Sequence, residues 1–434
     1  MISWRISFPI LLLLLTILAL ACVPTPSPTN VSMRISSTQT QAIGSPTPTL
    51  EETATFVAIQ ATAPRVPLRV TYTKGGSIWF WDAAASPKQL TNSGQDSAPR
   101  ISDDGLVIAF VRNGELWAVD TDGGNERVLA SSSALSALDD GVSLSVTPRQ
   151  FNFAPHSHDI YLNIAIMGDP PKPQYDLARV NVDSLSLQAL LNADQGGGQF
   201  VFSPDGMKVA LPRNDKINVV NADGTGLKTV FTFPRVTYRH GDGTATYIPD
   251  IAWLPDGSGF KTVIPPQDQL ANPPALTRFM FIPADGGPAA KLAEFVASPA
   301  FANRPVISPD GAKVLYTKAQ GANLELHIID ASTADQMYFS RAANKFGILG
   351  WAPDSTHIVY WMDDSRRTWL GPQDNLAVPL SDVTFAEHVT WIDPERYLFI
   401  NKTELRLRIL GQPSILIDSN LNLSENAFDF TLAH

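Results

Sequence analysis

A single cysteine, Cys22, stands in 434 residues. Disulfides within the chain are therefore excluded, and an exported domain of this composition must be held together by packing. The sequence also lacks zinc-type His/Cys spacing, a phosphate-cradling glycine loop and a Gly-x-Ser-x-Gly elbow. No catalytic residue, metal site or cofactor is assigned on this basis. Basic residues are few and form no runs: 32 Lys and Arg face 42 Asp and Glu, for a net charge of −10. An acidic chain without a basic stripe excludes nucleic acid as the expected partner. The longest apolar run, Phe8 to Ala21, falls short of the roughly 20 residues that a membrane span requires.

What is present begins at the N-terminus. "MISWRISFPILLLLLTILALAC" has a short charged head, an apolar middle and a small-residue end, the pattern of an export signal. Its end, "LALAC", resembles the lipobox of bacterial lipoproteins, with Ala21 before Cys22. The family usually carries Leu three positions before the Cys, where this chain has Ala19 between Leu18 and Leu20. The resemblance implies a signal peptide over 1–21, cleavage before Cys22 and diacylglyceryl attachment to its sulfur. The alternative is an ordinary secretory signal followed by a chance cysteine. Two or more acyl chains would hold the protein stably at a membrane, where one would not. The expected location is the cell membrane or envelope, facing outside the cytoplasm.

From residue 22 to 67 the chain is rich in Pro, Ser and Thr, as in "VPTPSPTN" and "GSPTPTLEETATF". Such a segment buries too little apolar surface to offset its ordering entropy, so a disordered tether is expected. A spacer and a glycosylated or wall-crossing stalk remain alternative uses for it.

From 68 to 434 a pattern recurs. Short β-rich runs are joined by turns of the kind Ser-Pro-Asp-Gly, as in "VFSPDGMKVAL" and "VISPDGAKVLYT". The anchors fall at Asp103, Pro155, Pro204, Pro255, Pro309, Pro353 and Asp393, roughly 40–54 residues apart, a period suited to four-stranded propeller blades. Asp-Gly pairs in "VVNADGTGLKTVF" and its copies mark tight hairpins. Before the first anchor lie three strands without an inner one; after the last lies the lone strand "AFDFTLAH". Joining them predicts an all-β propeller of eight blades, closed by N- and C-terminal strands that share one blade. Seven is the alternative if the Pro155 or Asp393 unit is not a full blade. These repeats resemble those of the TolB-type β-propeller family, related in architecture to WD-repeat propellers. The tether replaces the small α/β domain of TolB, so TolB's partners are not implied.

Copies at four or more positions make the Ser-Pro-Asp-Gly turn a folding element. The Asp-Gly-Gly-type turns at Asp122, Asp223 and Asp285 read as hairpins, since a calcium loop needs more ligands. "HSHD" at His156–Asp159 is the densest metal-like cluster, but it occupies a first turn and reads as a solvated variant. Function on a propeller concentrates in long loops carried by the rigid scaffold. Three stand out: from Ser131, from Phe233 to Asp250, and from Ile264 to Arg278. The second gathers Arg235, Tyr238, Arg239, His240, Asp242 and Tyr247, a mixture of cations, aromatics and an acid suited to a protein, peptide or glycan ligand. A solvent-covering loop with locally packed tyrosines is the rival reading.

The resulting expectation is a lipid-anchored, monomeric, non-catalytic binding or scaffold module. The alternative is a glycan hydrolase or lyase with carboxylates at the channel mouth, because propeller enzymes can draw groups from several blades. Replacement Cys22→Ala should release the protein from membranes, read by fractionation of cells; continued membrane association would overturn the lipid assignment.

Overall fold

The computed structural model describes residues 67–434, apart from 84, 139–145, 167–171, 174–175, 193–197, 241–242, 300–303, 332–335, 344, 363–366, 373–377, 380–386, 422–426 and 433–434. Residues 1–66, with the signal segment, Cys22 and nearly all of the tether, lie outside the described residues. Everything described belongs to the compact unit Arg65–His434. Among the described residues no helix is long and apolar enough to cross a membrane.

The strands form a β-propeller of antiparallel sheets, numbered here 1 to 8 in chain order. First strands of neighbouring sheets pack together where sheets 1, 2 and 3 meet and where sheets 6, 7 and 8 meet, which sets these strands on the inner side of the ring. Sheets 2 and 4–8 each run in simple sequence order from the inner strand to the outer edge. Sheet 1 is composite. Its order is Lys88–Gln89, Ser77–Trp81, Leu68–Lys74, then Phe428–Leu432, so the C-terminal strand takes the inner position. Leu68 pairs with Leu432 and Tyr72 with Phe428, the shared blade that the unmatched ends of the sequence imply.

Seven sheets are regular four-stranded blades, the lower of the two counts expected from the sequence. The favoured eighth is the Pro155 unit, sheet 3, which departs from the regular form with five strand segments. Its strand Asp159–Ile166 pairs along one edge with Val146–Phe153. On the other edge two segments share the register: Ala178–Asn181 opposite Asp159–Leu162, and Lys172–Pro173 opposite Ala165–Ile166. The third-strand position is thus filled by two pieces. A proline within the shorter piece, which cannot donate to the ladder, fits that break.

Each blade buries both faces against its neighbours, which is why its strands read as continuous apolar runs rather than alternations. In sheet 2, Val107–Arg112 (VIAFVR) is buried at five of six positions. Separate apolar clusters fill successive interfaces: Ile78 with Ile108 and Phe110, Leu116 with Ile160 and Leu162, Tyr161 with Val209 and Leu211, and Val263 with Val314 and Tyr316. The closing interface joins Leu398 and Leu405 of sheet 8 to Leu68, Val70 and Tyr72 of sheet 1.

The Ser-Pro-Asp-Gly turns link first to second strands, and their geometry repeats. Ser308 Oγ donates to Asp310 Oδ1 at 2.5 Å and accepts from Lys313 N at 2.9 Å, while Ala312 N donates to Asp310 Oδ1 at 2.8 Å. The same bonds recur at Ser203, Asp205 and Met207, and at Ser102, Asp104 and Leu106. Gly311 has φ +65°, a region in which a Cβ would be strained. Neighbouring turns are also tied together. Lys261 Nζ donates to Gly311 O at 2.6 Å, and Asp310 N donates to Ser355 Oγ at 3.0 Å. The motif therefore closes its own hairpin and docks it on the next blade.

The Ser308 side chain belongs to a fully buried residue, so Ser308→Ala should destabilise the propeller by about 1–2 kcal/mol through groups left unpaired. Ser258→Ala, in an exposed copy of the turn, should cost less than about 0.5 kcal/mol. Urea unfolding of the Arg65–His434 unit checks both.

Candidate functional site

In an antiparallel four-stranded blade, the turns between strands one and two and between strands three and four emerge on one face. The connections between strands two and three, and from one blade to the next, emerge on the other. The three long loops lie on this second face. The first contains a short helix, α1 (Ser132–Leu138), seated by buried Leu135 and by Ser132 N donating to Glu115 Oε1 at 2.9 Å.

The second loop connects the outer strand of sheet 4 to the inner strand of sheet 5 and folds as a two-stranded hairpin, Thr237–His240 with Gly243–Thr246. Among the described residues it pairs with none of the eight sheets. Thr and Tyr favour the extended backbone; the two residues between the strands, Gly241 and Asp242, lie outside the described residues. Tyr247 anchors the hairpin. Its ring is 3 % exposed and packs with Val236 and Tyr238. Its hydroxyl donates to Val263 O of sheet 5 at 2.8 Å, and burial pushes its pKa up.

Arg304, from the connection between sheets 5 and 6, covers this anchor. Its guanidinium lies 5.1 Å from the Tyr247 ring centre, donates to Ile248 O and pairs with Asp250 Oδ1 at 3.3 Å. Thr262 Oγ1 donates to Asp250 O at 2.7 Å, fixing the hairpin base on the same strand that holds Tyr247. The third loop leaves this strand's end at Ile264 and exposes Leu270 and Leu276. The hairpin and the third loop thus rise from one end of sheet 5.

The residues singled out from sequence separate by role. Arg235 is exposed, and Tyr238 is half-buried against Val236 and Tyr247. Arg239 and His240 occupy hairpin strand positions. Tyr247 is a structural anchor, as the rival reading of packed tyrosines had it. Arg304 was missed, because nothing near it in sequence marks it; only the ring brings it to Tyr247. On the inner strand of sheet 1, Asp429 accepts from Ile101 N of sheet 2 at 3.0 Å. Burial raises its pKa and the charge of Arg100 opposes the rise.

The "HSHD" turn on the opposite face is more than a solvated variant. His156 is 84 % exposed on its side chain, with φ +56°, and its backbone N donates to Asp103 Oδ2 at 2.8 Å. His158 is clamped between blades: Nε2 lies 2.9 Å from Asp104 Oδ2 in the first turn of sheet 2, and Nδ1 lies 2.9 Å from Asp183 Oδ2 in the last turn of sheet 3. Burial lowers the His158 pKa, but the two carboxylates outweigh it and the net shift is upward. The Asp-Gly turns are hairpins, each closed by its own carboxylate: Gly124 N donates to Asp122, Thr225 N to Asp223 and Gly287 N to Asp285.

No family model and no curated protein sequence matches the chain. Among solved structures it is similar to an oligogalacturonate lyase in complex with manganese, at 15% identity and a TM-score of 0.45, covering 68% of this chain and 81% of that one. It is similar to the oligogalacturonate lyase of Vibrio parahaemolyticus at 12% identity and a TM-score of 0.44, covering 68% and 82%. It is also similar to TolB from Acinetobacter baumannii at 13% identity and a TM-score of 0.32, covering 65% and 66%. At such identities the likeness carries none of those proteins' chemistry to this chain.

The His158 clamp has a pH dependence of definite sign. With its pKa raised on folding, the stabilisation is fully present below about pH 6.5 and is lost as pH rises through the raised value. The stability difference between the wild type and His158→Gln, measured by urea unfolding, should therefore be largest near pH 6 and shrink toward pH 9. A pH-independent difference would show that the charged form is not what holds the two blades.

Proposed function

We propose that this chain is a binding module of the cell envelope, anchored by lipid on Cys22, that engages a protein, peptide or glycan with the long-loop face of its propeller. The observation that carries this reading is the hairpin of residues 237–246. It is an addition to the blade pattern, and it is held to the scaffold by Tyr247 and Arg304 rather than left as a loose covering. A rigidly seated arm beside exposed Leu270, Leu276 and Arg235 presents apolar and charged groups without a large ordering cost, which favours recognition.

The experiment is site-specific photocrosslinking on intact membranes from full-length protein. The photoreactive residue replaces Arg235 or Leu270 on the loop face, or Ile415 on the outer edge strand of sheet 8. Discrete adducts from the first two positions, absent at the third, are expected. Adducts equal at all three, or none from the loop face, would overturn the reading. Turnover of an envelope-glycan panel by the same protein would overturn its non-catalytic part.

A further inference from the structure

We propose a second interaction surface, on the face opposite the long loops, that takes a basic, aliphatic-rich peptide segment of a partner protein. Eight large apolar side chains are exposed among the described residues, and four of them lie on this face in three consecutive sheets. Leu106 is in the first turn of sheet 2, Leu185 in the last turn of sheet 3, and Met207 and Leu227 are in the two turns of sheet 4. Apolar groups gathered in this way mark a contact surface more than scattered single residues do.

The turns are contiguous. The sheet 2 and sheet 3 turns meet at the His158 clamp. A Cβ added at Gly206, in the sheet 4 turn, would lie 3.5 Å from Pro155 of sheet 3. Where the sheet 2 and sheet 3 turns meet lies an open cleft of about 520 Å³ lined by Asp103, Asp104, Asp183, Asn181, His156 and His158. A second recess shares His158 and Asp183, and Leu106 lines it together with Asp120, Asp122 and Arg127.

Charge selects the occupant. The side chains of Asp103, Asp104 and Asp183 are 53%, 44% and 65% exposed, and among the described residues they form ion pairs only with histidines. The neighbouring cations already have partners on these same turns. Arg127 pairs with Asp120 and donates to Val182 O, Lys88 donates to Asp122 O, and Arg69 donates to Asp104 O and Gly105 O. An acidic cleft flanked by aliphatic side chains complements Lys or Arg alternating with aliphatic residues, and it repels an anionic membrane surface. This surface is independent of the loop-face hairpin.

The test uses the Arg65–His434 unit and fluorescence anisotropy at low ionic strength. The probe is a fluorescein-labelled peptide repeating Lys-Leu-Gly-Ser three times; the controls replace Lys by Glu, or Leu by Ser. The Lys-Leu peptide should bind about tenfold more tightly than either control, and salt should weaken it. Met207→Ser, at a 65% exposed position that no fold contact requires, and Asp183→Asn should each weaken binding several-fold. Ile415→Ser, on the outer edge strand of sheet 8, should leave it unchanged. Absence of binding, equal binding of the Lys-Ser peptide, or indifference to Met207→Ser and Asp183→Asn would overturn the proposal. So would displacement of the peptide by calcium chloride beyond that by sodium chloride of equal ionic strength, which would mark a cation site.

Discussion

Closure of the ring is the constraint on which the rest depends. A blade has no complete core of its own, because its faces are finished only by its neighbours. The first and last sheets must therefore meet, and the pairing of Leu68–Lys74 with Phe428–Leu432 makes them meet. The seam is reinforced at several levels. Tyr72 Oη donates to Asp418 Oδ2 at 2.6 Å and Lys74 Nζ to Asp418 Oδ1 at 2.7 Å, joining sheets 1 and 8. These bonds pull the Asp418 pKa down against the opposing effect of its burial. On the other side, Thr431 Oγ1 donates to Asp103 O and joins the C-terminal strand to the first turn of sheet 2.

With the ring closed, its two faces take different work. The face of the short turns is knitted together by hydrogen bonds between neighbouring blades, from Arg69 on Asp104 to Lys261 on Gly311. The face of the long loops has freedom to vary, since its connections need only span adjacent strands. The hairpin on sheet 5 uses that freedom, and Tyr247 shows how such an addition becomes rigid. A large ring is buried against the scaffold while its hydroxyl satisfies a backbone carbonyl there.

The legible parts of this structure were those encoded within a few residues. Ser308, Asp310 and Gly311 form their turn through contacts no more than five residues apart, so each copy announces itself. The split of sheet 3 was less legible: the sequence marked the Pro155 unit as divergent, but register alone shows two pieces sharing one strand edge. The hairpin does not stand out in the sequence, because its strands are only four residues each and carry polar side chains, without the alternation that marks a half-buried strand. The His158 clamp was hidden for a different reason. Its two carboxylates come from turns in different blades, and their meeting depends on how neighbouring blades pack.

The sequence by itself determined the repeat, the chemistry of its turns and the pairing of its two ends, because local hydrogen bonding and apolar runs suffice to specify them. Only the tertiary structure decided which side chains are partners across blades. Arg304 over Tyr247, and His158 between Asp104 and Asp183, are set by the rotation from one blade to the next. That rotation follows from packing whole sheets around an axis, and no short stretch of sequence contains it.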